Sequence, residues 1–358
     1  MKVPLFDLNR LISEKKEELI SSFKKMLDDS NFILGEEVYE FESKFSNLMK
    51  RKHCISMSNG TDSLQAIFMA SGLEPGSDIL VPSFTFIASA SSILRAGYNP
   101  VFVDVKKNSF HPSLDEIKDA VTAKTSALLF VHLFGERIDL KEIKSFCDKK
   151  NIKIFEDCAQ SFGTKESSLS IASSYSFFPA KNMGCLGDGG AVLTDDDDLH
   201  KKLLMVRAHG SKIKYQYEIV GGNFRMDTIQ AGFLNILLNN SEKWIDKRID
   251  NAKFYNEKFK NIEEIIIPKI HENHSFNQYT IILKNRDCLR KFLNKNKIGN
   301  SVYYPYPLHS NKIFNSNKNL SNTDDICKSV ISIPVYPGLK ENERDLVASK
   351  ILEFFNDS

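Results

Sequence analysis

Asp157 and Lys181 are the two side chains of this sequence best placed to do chemistry together. Asp157 comes straight after the apolar run 152–155. Lys181 follows a second strand-like run, 173–178, which Pro179 ends because proline cannot donate to a strand ladder. In an α/β chain, groups that follow strand ends gather at one open edge of the sheet, where ligands bind. A lysine there can form a Schiff base with an aldehyde, and an acid can hold a proton on a pyridine nitrogen. That pairing suits pyridoxal phosphate. Each residue alone has a plainer reading, Asp157 as a turn or helix cap and Lys181 as a wetted surface group. Gly184, Gly187, Gly189 and Gly190 favour the chemical reading, because they crowd the loop after Lys181 with positions that allow close backbone approach.

The segment Ser58-Asn-Gly-Thr-Asp62 offers a second ingredient. A strand over 54–57 passes into a turn at Asn59 and Gly60, and a helix starts near Thr61, so its free amides and positive dipole end face one point. A phosphate fits there. An ordinary glycine turn capped by Thr61 or Asp62 accounts for the same residues equally well.

These groups need a scaffold, and the hydrophobic pattern supplies one. Short apolar runs rich in β-branched residues at 55–57, 79–81, 101–103, 127–131 and 152–155 alternate with helical patterns at 62–71, 87–97, 113–121 and 140–149. Such alternation predicts βαβ units and a mostly parallel sheet flanked by helices, preceded by helices over 9–29 and 36–50. A long helical pattern after Met226 carries Leu234, Leu237, Leu238 and Trp244. It leads to a strand near 278–283, a helix near 288–296 and a closing helix near 342–355. The expectation is an α/β protein with a large domain over 1–237 and a smaller α+β domain over 238–358. The acidic run 195–198 looks like a metal site in composition, but it fits better as the capped first turn of a helix over 199–206, and no metal is expected.

Composition sets limits without pointing to a reaction. A chain of 358 residues that is 42% hydrophobic can bury one large core and a smaller one. Lys plus Arg at 48 against Asp plus Glu at 46 leaves the net charge near zero, which speaks against a dedicated nucleic-acid binder. The six cysteines, at 54, 147, 158, 185, 288 and 327, form no Cys-x-x-Cys pair and read as reduced, mostly buried thiols of a cytoplasmic protein. The opening Met-Lys-Val-Pro-Leu-Phe-Asp lacks the apolar stretch of a leader. No run approaches the roughly 18 apolar residues of a membrane span, so no membrane partner is expected.

Several short segments then carry a resemblance that runs nearly end to end. They are Phe32-Ile-Leu-Gly35, Ser58-Asn-Gly-Thr-Asp62, Pro82-Ser-Phe-Thr-Phe86, His132-Leu-Phe-Gly135, Glu156-Asp-Cys-Ala-Gln-Ser161, Ser176-Phe-Phe-Pro-Ala-Lys181, Gly187-Asp-Gly-Gly-Ala191, Gly222-Asn-Phe-Arg225 and Tyr304-Pro-Tyr-Pro-Leu-His309. In this order they resemble the DegT/DnrJ/EryC1/StrS sugar aminotransferases, pyridoxal-phosphate enzymes of the aspartate-aminotransferase-like fold type I. The resemblance implies that Lys181 tethers the cofactor and, once released by an amino donor, moves a proton as general base, while Asp157 keeps the ring nitrogen protonated. It implies that the Gly60 and Thr61 amides and the Ser176 hydroxyl hold the cofactor phosphate. Phe86 is expected to stack on the ring and Gln160 to hydrogen-bond its phenolic oxygen. Asn223 matches a residue that reaches the phosphate from the neighbouring subunit, so a homodimer with shared active sites is expected. Tyr304, His309 and Arg225 are expected on the substrate side, and Arg207, Lys212, Lys214 and Arg225 are candidates for a substrate diphosphate. His111 and His132 read as structural histidines.

In that family glutamate is the usual donor, leaving pyridoxamine phosphate. A keto group of a nucleotide-linked deoxysugar then takes the amine, for surface polysaccharide or glycan biosynthesis. Segment 304–309 is closer to relatives acting on 3-keto sugars, which favours C3 over a C4 aminotransferase of a UDP-, dTDP- or GDP-4-keto sugar. Phe224 and Met226 stand at positions that vary among relatives. A pyridoxal-dependent sugar dehydratase would carry histidine where Lys181 stands. A non-catalytic, cofactor-binding regulatory protein would have no need of Asp157, Gln160, Lys181 and His309 together. A nicotinamide-dependent oxidoreductase fails on order, because the glycines at 184–190 lead into a strand instead of following one and opening a helix.

Overall fold

Seven strands lie side by side in the order β1-β7-β6-β5-β4-β2-β3. They are β1 (His53–Met57), β2 (Asp78–Pro82), β3 (Asn99–Val103), β4 (Thr125–Val131), β5 (Lys153–Asp157), β6 (Ala172–Ser176) and β7 (Gly190–Thr194). The computed structural model describes residues 1–165 and 168–356. Every neighbouring pair is parallel except the two that β7 makes. All the predicted strands are present. Asp157 is the last residue of β5 rather than the first beyond it, paired with Ser174. Two acidic residues in succession, Glu156 and Asp157, conceal a strand end that is nonetheless buried.

The register brings the chemistry to one edge. Met57 and Ser176 both pair with Gly190, so the ends of β1 and β6 and the start of β7 lie level, beside the end of β5 at Asp157. The turn after β1, the loop after β6 and the approach to β7 therefore open on the same side.

Helices cover both faces, which is why the strands are buried nearly end to end. On one face Val38, Phe41 and Phe45 of the Glu36–Met49 helix pack against Tyr175 and Phe177. On the other, Leu64, Ile67 and Phe68 of the Gly60–Ala70 helix pack against Ile55, Ile79 and Phe155. The helical pattern after Met226 is two helices, Thr228–Leu237 and Ser241–Phe259, joined by a tight turn over Leu238–Asn240. Asn239 and Asn240, whose side chains compete with helical backbone bonds, mark that break.

A second sheet carries its own core. β10 (Ile265–Ile266), β11 (Tyr279–Leu283) and β12 (Val330–Ile333) are antiparallel and are packed by the helices Arg286–Lys295 and Glu341–Asn356. Val3 joins this core, bridging to Ile298, and Arg10 bonds Glu343 at 2.6 Å. A hairpin of β8 (Ser211–Ile213) and β9 (Gln216–Tyr217) projects separately. Among the described residues all six cysteines are free and five are buried. No helix among them is long and apolar enough to cross a membrane. The acidic run caps a helix as expected: Asp196 accepts from the amides of Asp198 and Leu199, while Asp195 pairs with Arg51 and Asp197 with Lys52.

Candidate active site

A cavity of about 660 Å3 opens at that edge and is lined by Gly60, Thr61, Phe86, Asp157, Gln160, Ser176, Lys181 and Tyr304. Eight of the residues singled out in the sequence thus share one wall, although they span the chain from 60 to 304.

Asp157 is buried at the end of β5 and is held from two sides. Ser89 donates its hydroxyl to Oδ2 at 2.8 Å, and the Ala159 amide donates to Oδ1 at 3.1 Å. Burial pushes its carboxyl up from the ordinary value, partly opposed by the Ser89 hydroxyl, the Ala159 amide and the charge of Lys181. Lys181 shows the converse. Its loop turns back after Pro179, with the Lys181 amide donating to the Phe178 carbonyl at 2.8 Å. Burial pushes the amine down to about 8, with Asp157 pulling the other way. An amine poised there is free base often enough to attack a carbonyl.

Gly184 permits the turn, since a Cβ at that position would meet the Pro179 carbonyl oxygen at 2.6 Å. The loop is closed at its neck by bonds from the Phe177 amide to the Gly189 carbonyl and from the Cys185 amide to the Phe177 carbonyl, both 2.8 Å. Asn182 anchors its far side, donating to the Phe162 carbonyl at 3.0 Å and to Ser275 Oγ at 2.9 Å.

The turn between β1 and the Gly60–Ala70 helix has the predicted form. Asn59 caps the Gly60–Ala70 helix, its Oδ1 accepting from the Asp62 amide at 2.8 Å and its carbonyl from the Ser63 amide at 3.0 Å. The amides of Gly60 and Thr61 have no partner in the helix and face the cavity at the positive end of the dipole. A Cβ on Gly60 would lie 2.7 Å from Ser176 Cβ, so the cradle is closed by β6 and has room only for glycine.

Phe86 is 54% exposed, on the cavity wall just before the Ile87–Arg95 helix, so it is not core packing. Gln160 is held by the Phe134 amide, which donates to Oε1 at 2.6 Å, and its Nε2 donates to Tyr304 Oη at 3.2 Å. An amine near neutrality, an aimed carboxylate, an amide cradle and an open aromatic face together fit pyridoxal phosphate.

Three predicted residues lie off this wall. His309 is buried, its Nδ1 2.8 Å from Ser83 Oγ and its Nε2 3.5 Å from Asp324, so its ring fixes the 304–309 loop to the end of β2. Asn223 and Arg225 lie apart from the cavity, Arg225 Nε donating to Asn223 Oδ1 at 2.8 Å. Of the other basic candidates, Arg207 is buried against Glu42 at 2.6 Å, and Lys212 and Lys214 are exposed beyond the cavity.

Sequence reasoning passed over Ser89, Thr85, Arg95, Asp188 and Gln278. Ser89 aims the acid, and the rest line the cavity. Arg95 ends a helix that begins beside Phe86, and that spacing was the available signal. Glu156 was also missed as a centre. Wholly buried on the opposite face of β5, it meets Arg137 Nη2 at 3.0 Å and His132 Nε2 at 2.8 Å. Burial pushes its carboxyl up, but Arg137 and His132 outweigh this and hold it well below the usual range. His132, which also lines the cavity, is bonded to Glu156, and His111 accepts the Leu133 amide at 3.1 Å.

Comparison with known proteins agrees with this geometry. Residues 13–352 match the DegT/DnrJ/EryC1/StrS aminotransferase family. The chain is 36% identical to a pleiotropic regulatory protein of Geobacillus stearothermophilus over 99% of both chains. It is 33% identical to UDP-N-acetyl-3-dehydro-alpha-D-glucosamine 3-aminotransferase of Acidithiobacillus ferrooxidans over 98% of this chain and 97% of that one. The solved structure of S. venezuelae DesV in complex with a ketimine intermediate is similar with a TM-score of 0.95 and 30% identity, covering 99% of this chain and 98% of that one.

Proposed function

Since the chain belongs to the DegT/DnrJ/EryC1/StrS aminotransferase family, we propose that it moves an amino group from glutamate to the C3 keto group of a nucleotide-linked keto-deoxysugar. Its place is in the cytoplasm, in surface polysaccharide or glycan biosynthesis. The observation that carries the reading is the meeting of Lys181, Asp157 and the open Gly60 and Thr61 amides on one cavity.

Pyridoxal phosphate, when bound, supplies a conjugated ring that takes up the electron pair left on a deprotonated carbon. The chain's own residues do the rest. Gly60, Thr61 and Ser176 hold the phosphate, and Phe86 covers a ring face. Asp157, unable to turn because Ser89 and Ala159 hold both oxygens, keeps a proton on the ring nitrogen. Lys181 Nζ removes the proton from the donor α-carbon, and the same amine returns a proton to C3 of the acceptor sugar. Arg95 is the arginine available on the wall for an anionic part of the substrate.

The preference for C3 is supported by the 33% identity to a 3-aminotransferase. The homodimer is supported by apolar residues left exposed, Ile20, Phe23 and Leu27 on the Lys16–Asp29 helix with Tyr215, Tyr217 and Val220 at the hairpin, beside the off-wall position of Asn223. Within such a dimer Asn223 reaches the partner's cofactor phosphate, and Asn223→Ala weakens cofactor binding.

A regulatory reading is favoured by one observation, the 36% identity to a protein named as a regulator. One experiment separates the two. Glutamate is added to the purified holoprotein, and release of the keto acid is measured with the change in cofactor absorbance; the pyridoxamine form is then offered 3-keto and 4-keto nucleotide-sugars. Failure of the first step favours the regulator, and fastest reaction with a 4-keto sugar overturns C3.

A further inference from the structure

We propose that Glu136, His271 and His274 form a divalent transition-metal site, suited to Zn2+, that clamps the loop after β4 to the segment leading into β11. One donor atom from each residue lies within 4.8 Å of those of the other two. His271 Nε2 stands 3.1 Å from Glu136 Oε1. That is close to the edge, about 3.3 Å, of a tetrahedron whose ligands stand about 2.0–2.1 Å from zinc.

His274 carries the argument furthest. It is 3% exposed, and its Nδ1 lies 3.2 Å from the Lys269 carbonyl. A carbonyl can only accept, so Nδ1 bears the ring hydrogen and Nε2 is left as a bare lone pair. That nitrogen is buried and has no hydrogen-bond partner. The Phe134 carbonyl beside it can pair only when Nε2 carries the ring hydrogen, which in a neutral ring leaves the Lys269 carbonyl without it. A buried acceptor left unsatisfied costs free energy, and a metal ion would use it.

The surroundings are built to hold the ligands. Glu136 and His274 face each other across an antiparallel bridge, the Arg137 amide donates to the Asn273 carbonyl at 2.8 Å, and the Ser275 amide donates to the Gly135 carbonyl at 2.8 Å. His111 accepts the Leu133 amide at Nε2, so its Nδ1 hydrogen faces Glu136 Oε2, 3.6 Å away. His271 Nδ1 accepts the Asn273 amide at 3.3 Å; ligation through Nε2 moves the ring hydrogen to Nδ1, which gives up this long contact and replaces the Nε2 hydrogen bond to Glu136 with two bonds to the metal. Two imidazoles and a carboxylate are a zinc donor set that leaves a fourth position for water. Glu136 and His271 are partly exposed, which gives the ion a way in. The second His-containing cluster, His132, Glu156 and Cys158, already holds the Arg137 guanidinium, which excludes another cation.

The site borders the catalytic cavity, since Leu133 and Gln278 line that cavity and the Gln278 amide donates to the Phe134 carbonyl at 3.3 Å. Chelator-stripped holoenzyme, with pyridoxal phosphate bound, is titrated with Zn2+ by calorimetry and with Co2+ by visible spectroscopy. His271→Ala, Glu136→Gln and His274→Gln are titrated in parallel. The expected result is one Zn2+ per chain, a Co2+ ligand-field band, a thermal midpoint that rises with Zn2+, and a loss of affinity of at least about tenfold in each variant. Circular dichroism and cofactor absorbance show that each variant is folded, and the partly exposed His271 can be changed without opening the core. Absence of stoichiometric binding to the unaltered protein overturns the proposal, as does unchanged affinity in His271→Ala and Glu136→Gln.

Discussion

Ser89 donates its hydroxyl to Asp157 Oδ2 across 2.8 Å, and Thr85 Oγ1 stands 3.0 Å behind Ser89 Oγ. The acid at the end of β5 is therefore aimed by the helix that follows Phe86. Asp157→Asn retains the shape and can still accept the Ala159 amide, so the fold survives. Without the charge, both half reactions slow by about 2–4 kcal/mol in barrier, read as single-turnover rates with glutamate and with a keto sugar. Rates near those of the unaltered protein would remove the ring-nitrogen role.

The pH behaviour of Lys181 follows from its burial. In the cofactor-free protein, capture of pyridoxal phosphate speeds up as pH rises and levels off with a midpoint near 8, against 10.5 for an ordinary lysine. The unfolded chain keeps that proton to higher pH, so it binds more protons between these two values. The cofactor-free fold thus gains stability as pH rises through the same window. Lys181→Ala binds pyridoxamine phosphate and loses roughly 100-fold or more in turnover. A capture midpoint near 10, or retained turnover in the variant, contradicts the assignment.

Gly60→Ala tests the cradle. The added methyl would stand 2.7 Å from Ser176 Cβ, between the two surfaces that enclose the phosphate. Cofactor affinity falls by about tenfold or more, near 1.4 kcal/mol, in a dialysis measurement with absorbance readout. An unchanged dissociation constant would mean that the phosphate binds elsewhere.

Glu156→Gln strips the charge facing Arg137 and His132 in a fully buried setting. Loss of one partner of such a pair costs about 3–5 kcal/mol, read from urea unfolding. The Glu156 carboxyl is held below its ordinary 4.5, so its contribution is present above that pH and disappears as pH falls through the lower folded value. The variant should lack this acid-side decline; a decline equal to that of the unaltered protein would assign it to other groups.

Local chemistry made part of this legible in the sequence. The apolar runs located the strands, and Pro179 with Gly184 located the Lys181 loop, because each signal lies within a few residues of what it specifies. The reversed direction of β7 was not legible, since Gly190 pairs with Met57 far along the chain. β12 is four residues long and went unnoticed between a helix and Pro334. Arg207 stood among four candidates for a substrate diphosphate because Glu42, its partner at 2.6 Å, is 165 residues away. The hold of His309 on Ser83 and Asp324 was equally out of sight in sequence.

Because β7 runs against both neighbours, the segment bearing Lys181 is the closed end of a hairpin tied at Phe177, Cys185 and Gly189. Movement of the amine between tethered and released states is confined to one side chain and that short turn. The strands beneath keep their own ladder pairing, so a shift of that amine leaves the sheet as it stands.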